Sequence, residues 1–495
     1  MKSWLVYLPI LLPLLGAALG LLVRKYHRLQ VGLTVVFILA ALVCSLGMLY
    51  TVATTGQPVV FQLGAWPAPA GITLIGDYLS ALMVVMSQIV LAAGILYATG
   101  CRDKCVHYPA FYPLFLTLAT GLTGALLTGD LFNLFVFAEL MVISGAVLTA
   151  VSDDRFGVEA AYKYFYISLL ASMFLLLGCG ALYAAYGTLN MADLGVQIAA
   201  NPEHPLSGLA LVFLLAFFMV KSAVVPFHFW QPDFHTAAPT PVHAVLSSVV
   251  VKLGVYGFIR MTTLLFPTRA PEINLLLVVL GCFGVLLGGL GATGTYDAKR
   301  MLAYSTLGQI GFILVGIGWG SPVALAAALV YAFNHSLIKS AMLMLAGAIA
   351  SRAPVKSAAF KVVVGVGKSS PYAGVLFFLG GIALAGLPPT NGFISKLVLF
   401  QSGLQAQAYI PLIVIASASI ITFIYIIRSF MKIWWEALPI SKKTKPTGDL
   451  LIVPTILIGL CLALGVWAQP LVKLAQDTAA WLGQPMLYIQ AVLGG

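Results

Sequence analysis

The stretch VKSAVVPFHFWQPDFHTAAPTPVHAVLSSVVVKLG, residues 220–254, decides the fold. It is flanked by long apolar runs, 206–226 and 238–264, and each run is near the roughly 20 residues a helix needs to cross a bilayer. Each run nevertheless contains a lysine, Lys221 or Lys252. A charge inside a membrane costs several kcal/mol, so an intramembrane lysine signals function unless it snorkels or pairs structurally. Pro226 has no N–H to give the carbonyl of Ser222, which weakens the helix beside Lys221. Pro232, Pro239 and Pro241 keep the next segment from being a regular helix throughout. That segment reads either as a loop that starts the next helix or as a polar access path from the cytoplasm. His228, Asp233, His235 and His243 are its candidate relay groups, because a histidine titrates near neutrality.

The rest of the chain has the same character. Of its 495 residues, 61% are apolar and 8% charged, and its mean hydropathy is +1.02. Soluble domains carry about 25% charged residues. The composition excludes a soluble enzyme, a disordered chain, a nucleic-acid binder and a receptor with one anchor. Long apolar runs rather than alternating ones exclude an outer-membrane barrel. The expected fold is an all-α polytopic membrane protein of about fourteen transmembrane helices. The spans are roughly 4–23, 30–51, 76–98, 109–128, 130–151, 162–186, 206–226, 238–264, 273–293, 301–318, 322–349, 372–403, 408–434 and 449–470. The first lacks a basic leader and a small-residue cleavage site, so it reads as a mature helix.

Basic residues orient such a bundle. Eighteen of the 26 fall on one side: Arg24, Lys25, Arg28, Arg102, Lys104, Arg155, Lys163, Lys299, Arg300, Arg352, Lys356, Lys361, Lys368, Arg428, Lys432, Lys442, Lys443 and Lys445. The other side receives Lys2, Arg260, Arg269 and Lys473. The basic side is expected to be cytoplasmic, with both termini outside. This asymmetry accounts for most of the +11 net charge without a basic-seeking ligand. Cys44, Cys179, Cys282 and Cys461 lie in apolar spans. Cys101 and Cys105 share a loop with His107, but no second cysteine pair completes a zinc site.

Four lysines, Lys221, Lys252, Lys339 and Lys396, and one acid, Glu139, fall inside spans. Glu139 lies nine residues beyond Asp130, which marks a helix start, and so about half the hydrocarbon thickness in. As the only acid read as deep, it is the expected partner of Lys221. His335 and Lys339 are four apart and share a helix face, with Asn334 and Ser336 in the same turn. In GLPPTNGF, residues 386–393, Gly386, Pro388, Pro389 and Gly392 interrupt the 372–403 span just before Lys396. Two broken helices about 170 residues apart, each with a lysine at the break, suggest two five-helix repeats, the second inverted. The expected division is 1–108, 109–264, 273–434 and 449–495.

The pieces 129–141, 220–246, 299–312 and 386–396 resemble the antiporter-like membrane subunits shared by Mrp-type Na+/H+ antiporters, respiratory complex I and membrane-bound hydrogenases. The resemblance covers roughly residues 75–435. By its length, and by a lysine at 396 where one complex I subunit has a glutamate, the chain most resembles D-type Mrp subunits. The resemblance implies fourteen core helices, two inverted repeats and a midplane chain of buried charges. It places the family's key residues on Glu139, Lys221 and Lys252, with a second half-channel on His335, Lys339 and Lys396. Asn334 and Ser336 depart from what relatives often have.

The expected function is proton translocation within a multi-subunit cation (Na+)/proton antiporter of a prokaryotic cell membrane. The alternatives are a proton-pumping subunit of a redox complex, a scaffold that transports nothing and a free-standing transporter. The expected partners are other membrane subunits, H+, Na+ and lipid, but no nucleic acid. Asp77, Asp130 and Asp233 are weak candidates for a cation. No cofactor is expected in this chain, only bound water along the proton path. No P-loop or iron–sulfur cysteine cluster supports hydrolysis or redox chemistry.

Overall fold

The computed structural model describes residues 3–151, 154–355, 357–437, 444, 445 and 447–494. Lys2, Lys356, Lys442 and Lys443 lie outside the described residues. Each of the fourteen apolar stretches coincides with a helix or a broken helix. Ten helices among the described residues are individually long and apolar enough to cross a membrane. A bent pair, Ile452–Val466 and Gln469–Leu482, meets at 77° and makes an eleventh candidate. Shorter apolar helices occupy Phe111–Leu127, Met191–Ala200, Pro205–Lys221 and Pro371–Ala385.

Burial sorts the helices into a centre and a periphery. Tyr78–Thr99, Thr240–Leu265, Ala298–Gly318 and Pro322–Arg352 are buried almost all round. A helix apolar on every face belongs in a core, and these four carry most of the polar groups described below. Peripheral helices such as His27–Thr55 and Arg155–Tyr186 leave an apolar face outward. Small residues allow one close crossing. A Cβ on Gly288 would lie 2.3 Å from Gly308 N, which brings Ala270–Gly294 tightly against Ala298–Gly318.

Aspartates start several helices by accepting backbone N–H groups: Asp130 from Asn133 at 2.8 Å and Asp297 from Arg300 at 3.0 Å. One end of the bundle carries a cover that hydropathy missed. Val59–Gln62 and Thr73–Gly76 pair antiparallel, with Val59 opposite Gly76. The Asn190 amide, which also caps Met191–Ala200, reaches Thr73 Oγ1 at 3.3 Å. The last 25 or so residues, beyond the fourteenth expected span, form Gln469–Leu482 and Pro485–Leu493. The latter meets the hairpin where Gln62 donates to Val492 O at 3.4 Å.

Candidate functional site

The site is built around a defect in a helix. Leu246–Val250 is one π-helical turn, a form often found at functional sites. Within it, the Ser248 carbonyl accepts from Lys252 Nζ and from Ser336 Oγ, the latter at 3.1 Å. Lys252 is wholly buried, and its ammonium also meets His335 Nδ1 at 3.0 Å. A protonated lysine can only donate, so His335 then accepts at Nδ1 and carries its own proton on Nε2. Nε2 has no partner among the described residues.

Beyond His335 lies the second break. Pro371–Ala385 stops at Gly386, whose φ of +85° is left-handed, and Asn391–Gln405 begins after Pro388 and Pro389. Lys396 folds back to donate to the Ala385 carbonyl at 2.6 Å. Its charge thus sits at the negative end of the first half-helix. Glycines make this return possible. A Cβ on Gly392 would fall 1.7 Å from Ala383 O, and one on Gly386 would fall 2.4 Å from Lys396 Cδ. Asn334 clamps the second half-helix by donating to Ser395 Oγ at 2.9 Å and accepting from Asn391 Nδ2 at 3.1 Å. Between His335 and Lys396 lies a cavity of about 10 Å³, lined also by Gln309, Tyr331 and Ser395. This is close to the space one water needs.

Lys339 shares the helix face of His335 but binds elsewhere. It donates to Leu302 O at 3.0 Å and Ser305 Oγ at 2.8 Å, and Tyr425 OH also reaches Ser305 at 2.8 Å. His235 and His243 are buried with ring centroids 5.6 Å apart, and Lys339 is within electrostatic range of both. Neither ring nitrogen of His243 has a partner among the described residues. The other two candidates of the access segment lie nearer the surface. Asp233 bridges Arg300 at 2.9 Å and Lys163 at 4.0 Å, and His228 is half-buried.

The first half has the expected break but not the expected pair. Pro205–Lys221 ends at Lys221, and helix resumes only at Gln231–Ala237, so Lys221 occupies the last turn before the break. Its ammonium is buried, lies 5.5 Å from the Phe217 ring centroid and has no hydrogen-bond partner among the described residues. The expected Glu139–Lys221 ion pair is absent. Glu139 is half-buried and accepts from Ser172 Oγ, and its charge reaches Lys221 only across a gap. Ser172 lies on Arg155–Tyr186, which packs beside Glu139 and supplies the nearer partner.

Other acids are buried more fully than Glu139. Asp77 is fully buried and lies 2.6 Å from Arg260 Nη2. Arg260, assigned above to an outer loop, is itself buried and also donates to Ser80 Oγ and Tyr256 OH, each at 3.1 Å. The signal was available, since Arg260 falls inside the 238–264 span. Asp449 is buried too, accepting from Tyr97 OH at 2.7 Å.

The family model described as "NADH:quinone oxidoreductase/Mrp antiporter, TM" matches residues 128–422. The D-type subunit of the Na+/H+ antiporter of Alkalihalophilus pseudofirmus is 31% identical over 99% of each chain. The N-type subunit of the NADH-quinone oxidoreductase of Desulforudis audaxviator is 34% identical over 88% of this chain and 87% of its own. A chain in the structure of the Mrp complex from a Dietzia species superposes with a TM-score of 0.90 at 28% identity, covering all of both chains.

Proposed function

The chain belongs to the NADH:quinone oxidoreductase/Mrp antiporter family of membrane subunits, and from that premise we propose that it translocates protons within a multi-subunit cation/proton antiporter. It is a multi-pass membrane protein. The reading is carried by one observation, the polar connection across three central elements: Lys252 on His335 at 3.0 Å, then a water-sized cavity, then Lys396. Burial disfavours a charged lysine and a nearby carboxylate favours it. A proton therefore moves when Glu139 approaches or withdraws from Lys221, and passes by water to Lys252 and His335. Lys339 connects the His235–His243 pair to the same chain, as an inlet from the basic, cytoplasmic side. Lys396 is the outlet toward a neighbouring subunit.

The repeat architecture belongs to this proposal. One isolated antiparallel bridge joins Asp130 to Asn190 and another joins Asp297 to Ala359, about 170 residues further on in both partners. This supports equivalent halves at 109–264 and 273–434. Other membrane subunits are the proposed partners and Na+ the proposed counter-cation, as the name of the Alkalihalophilus relative suggests.

A second reading, a proton-pumping subunit of a redox complex, is favoured by the likeness to the Desulforudis oxidoreductase chain. Tagging the chain and identifying copurifying subunits separates the two. Small membrane partners, with proton movement in vesicles that depends on Na+, support the antiporter. Iron–sulfur partners and no Na+ dependence reject it.

A further inference from the structure

A cavity of about 920 Å³ opens at the basic-loop end of the bundle. It lies where Ala270–Gly294 ends, Ala298–Gly318 begins, and the short helix Phe360–Val363 meets the end of the 409–435 helix. Its size suits a small-molecule site, which usually spans about 300–1,000 Å³. Nothing in the proton path uses it.

Its lining has two characters. Arg300, Lys361 and Lys432 give it three cations, while Gly291, Phe360 and Val364 give it an apolar wall. Two carboxylates also line it. Asp297 accepts the Arg300 backbone N–H at 3.0 Å, and Glu436 lies 3.8 Å from Lys432. The lining therefore keeps an excess of one positive charge. Tyr296 lines it and is 76% exposed, and Trp435, which ends the 409–435 helix next to the lining residues Lys432 and Glu436, is 67% exposed. Such aromatics mark the membrane–water boundary. The walls are tied together, with Phe360 N–H donating to Tyr296 O at 2.8 Å and Gly365 N–H to Lys432 O at 3.1 Å.

We propose that this cavity binds an anionic phospholipid, with the headgroup phosphate among Arg300, Lys361 and Lys432 and the start of an acyl chain on the Gly291–Phe360–Val364 wall. Basic pockets between membrane helices take anionic headgroups. Free phosphate offers the same anionic chemistry but makes no use of the apolar wall or the aromatic rim. Arg300 also lies 2.9 Å from Asp233 on the Gln231–Ala237 helix, which carries His235. A lipid held by Arg300 is therefore one side chain from the proposed inlet.

The test uses the intact complex that copurifies with the chain. It is equilibrated with phosphatidylcholine vesicles containing phosphatidylglycerol, and retained lipid is counted by native mass spectrometry. Phosphatidylglycerol is expected to be retained over phosphatidylcholine. Its binding is expected to weaken about tenfold in the Lys361→Gln/Lys432→Gln double variant and to weaken also in Val364→Trp, which blocks the apolar wall. Unchanged binding in both variants overturns the proposal. So does displacement by millimolar inorganic phosphate without lipid preference. Binding by the isolated chain but not by the complex overturns it too, because another subunit then fills the cavity.

Discussion

Lys252 and His335 share a hydrogen bond of 3.0 Å across two central helices, and the π-helical turn before Lys252 turns the Ser248 carbonyl to the same ammonium. A buried ammonium is tolerable when donors and acceptors match in this way. The two side chains should therefore behave as one link. Lys252→Met and His335→Ala should each slow proton flux by about tenfold or more, and the double variant should be no slower than the worse single one. Multiplying losses in that cycle would mean independent roles.

The return of Lys396 onto Ala385 depends on glycine at 392, where a Cβ would meet Ala383 O at 1.7 Å. Gly392→Ala should force the half-helices apart, cost about 1–3 kcal/mol and reduce flux even though Lys396 is present. A thermal midpoint and a flux equal to those of the parent would refute the geometry.

Much of this was legible in the sequence, because the bilayer allows few spanning structures. Apolar runs placed the helices, and proline and glycine at 386–392 placed the second break with Lys396 beside it. What the sequence hid was partner choice. Glu139 and Lys221 were matched because both are charges in spans, yet Ser172, an unremarkable residue of a peripheral helix, takes the carboxylate. Arg260 was counted with the outer side and Asp77 was read as a weak cation candidate, and only tertiary packing makes them a buried pair. The amphipathic C-terminal helices have too little continuous apolar length for hydropathy to find them.

Ser172 joins the site through packing alone. Ser172→Ala removes a hydrogen bond to a carboxylate, worth about 1.5–3 kcal/mol when charged. It should alter flux severalfold while Ser172→Thr keeps it near normal. If both substitutions leave flux unchanged, Ser172 only fills space.

The Asp77–Arg260 pair lies apart from the proton chain and under the cover of the C-terminal helices, with Tyr488 stacked on Arg260 at 4.9 Å. Arg260→Ala leaves a buried carboxylate uncompensated and should cost about 3–5 kcal/mol. Asp77→Leu/Arg260→Met should recover much of that loss. Thermal unfolding of the purified complex reads both, and a double variant no more stable than Arg260→Ala would contradict the pairing.

If protons cross through buried lysines, Lys221, buried with no hydrogen-bond partner among the described residues, is the most exacting place to test it. The measurement is proton flux in vesicles holding equal amounts of assembled parent or Lys221→Ala complex. The variant should insert and assemble but move no protons above background. Full flux in that variant would contradict it.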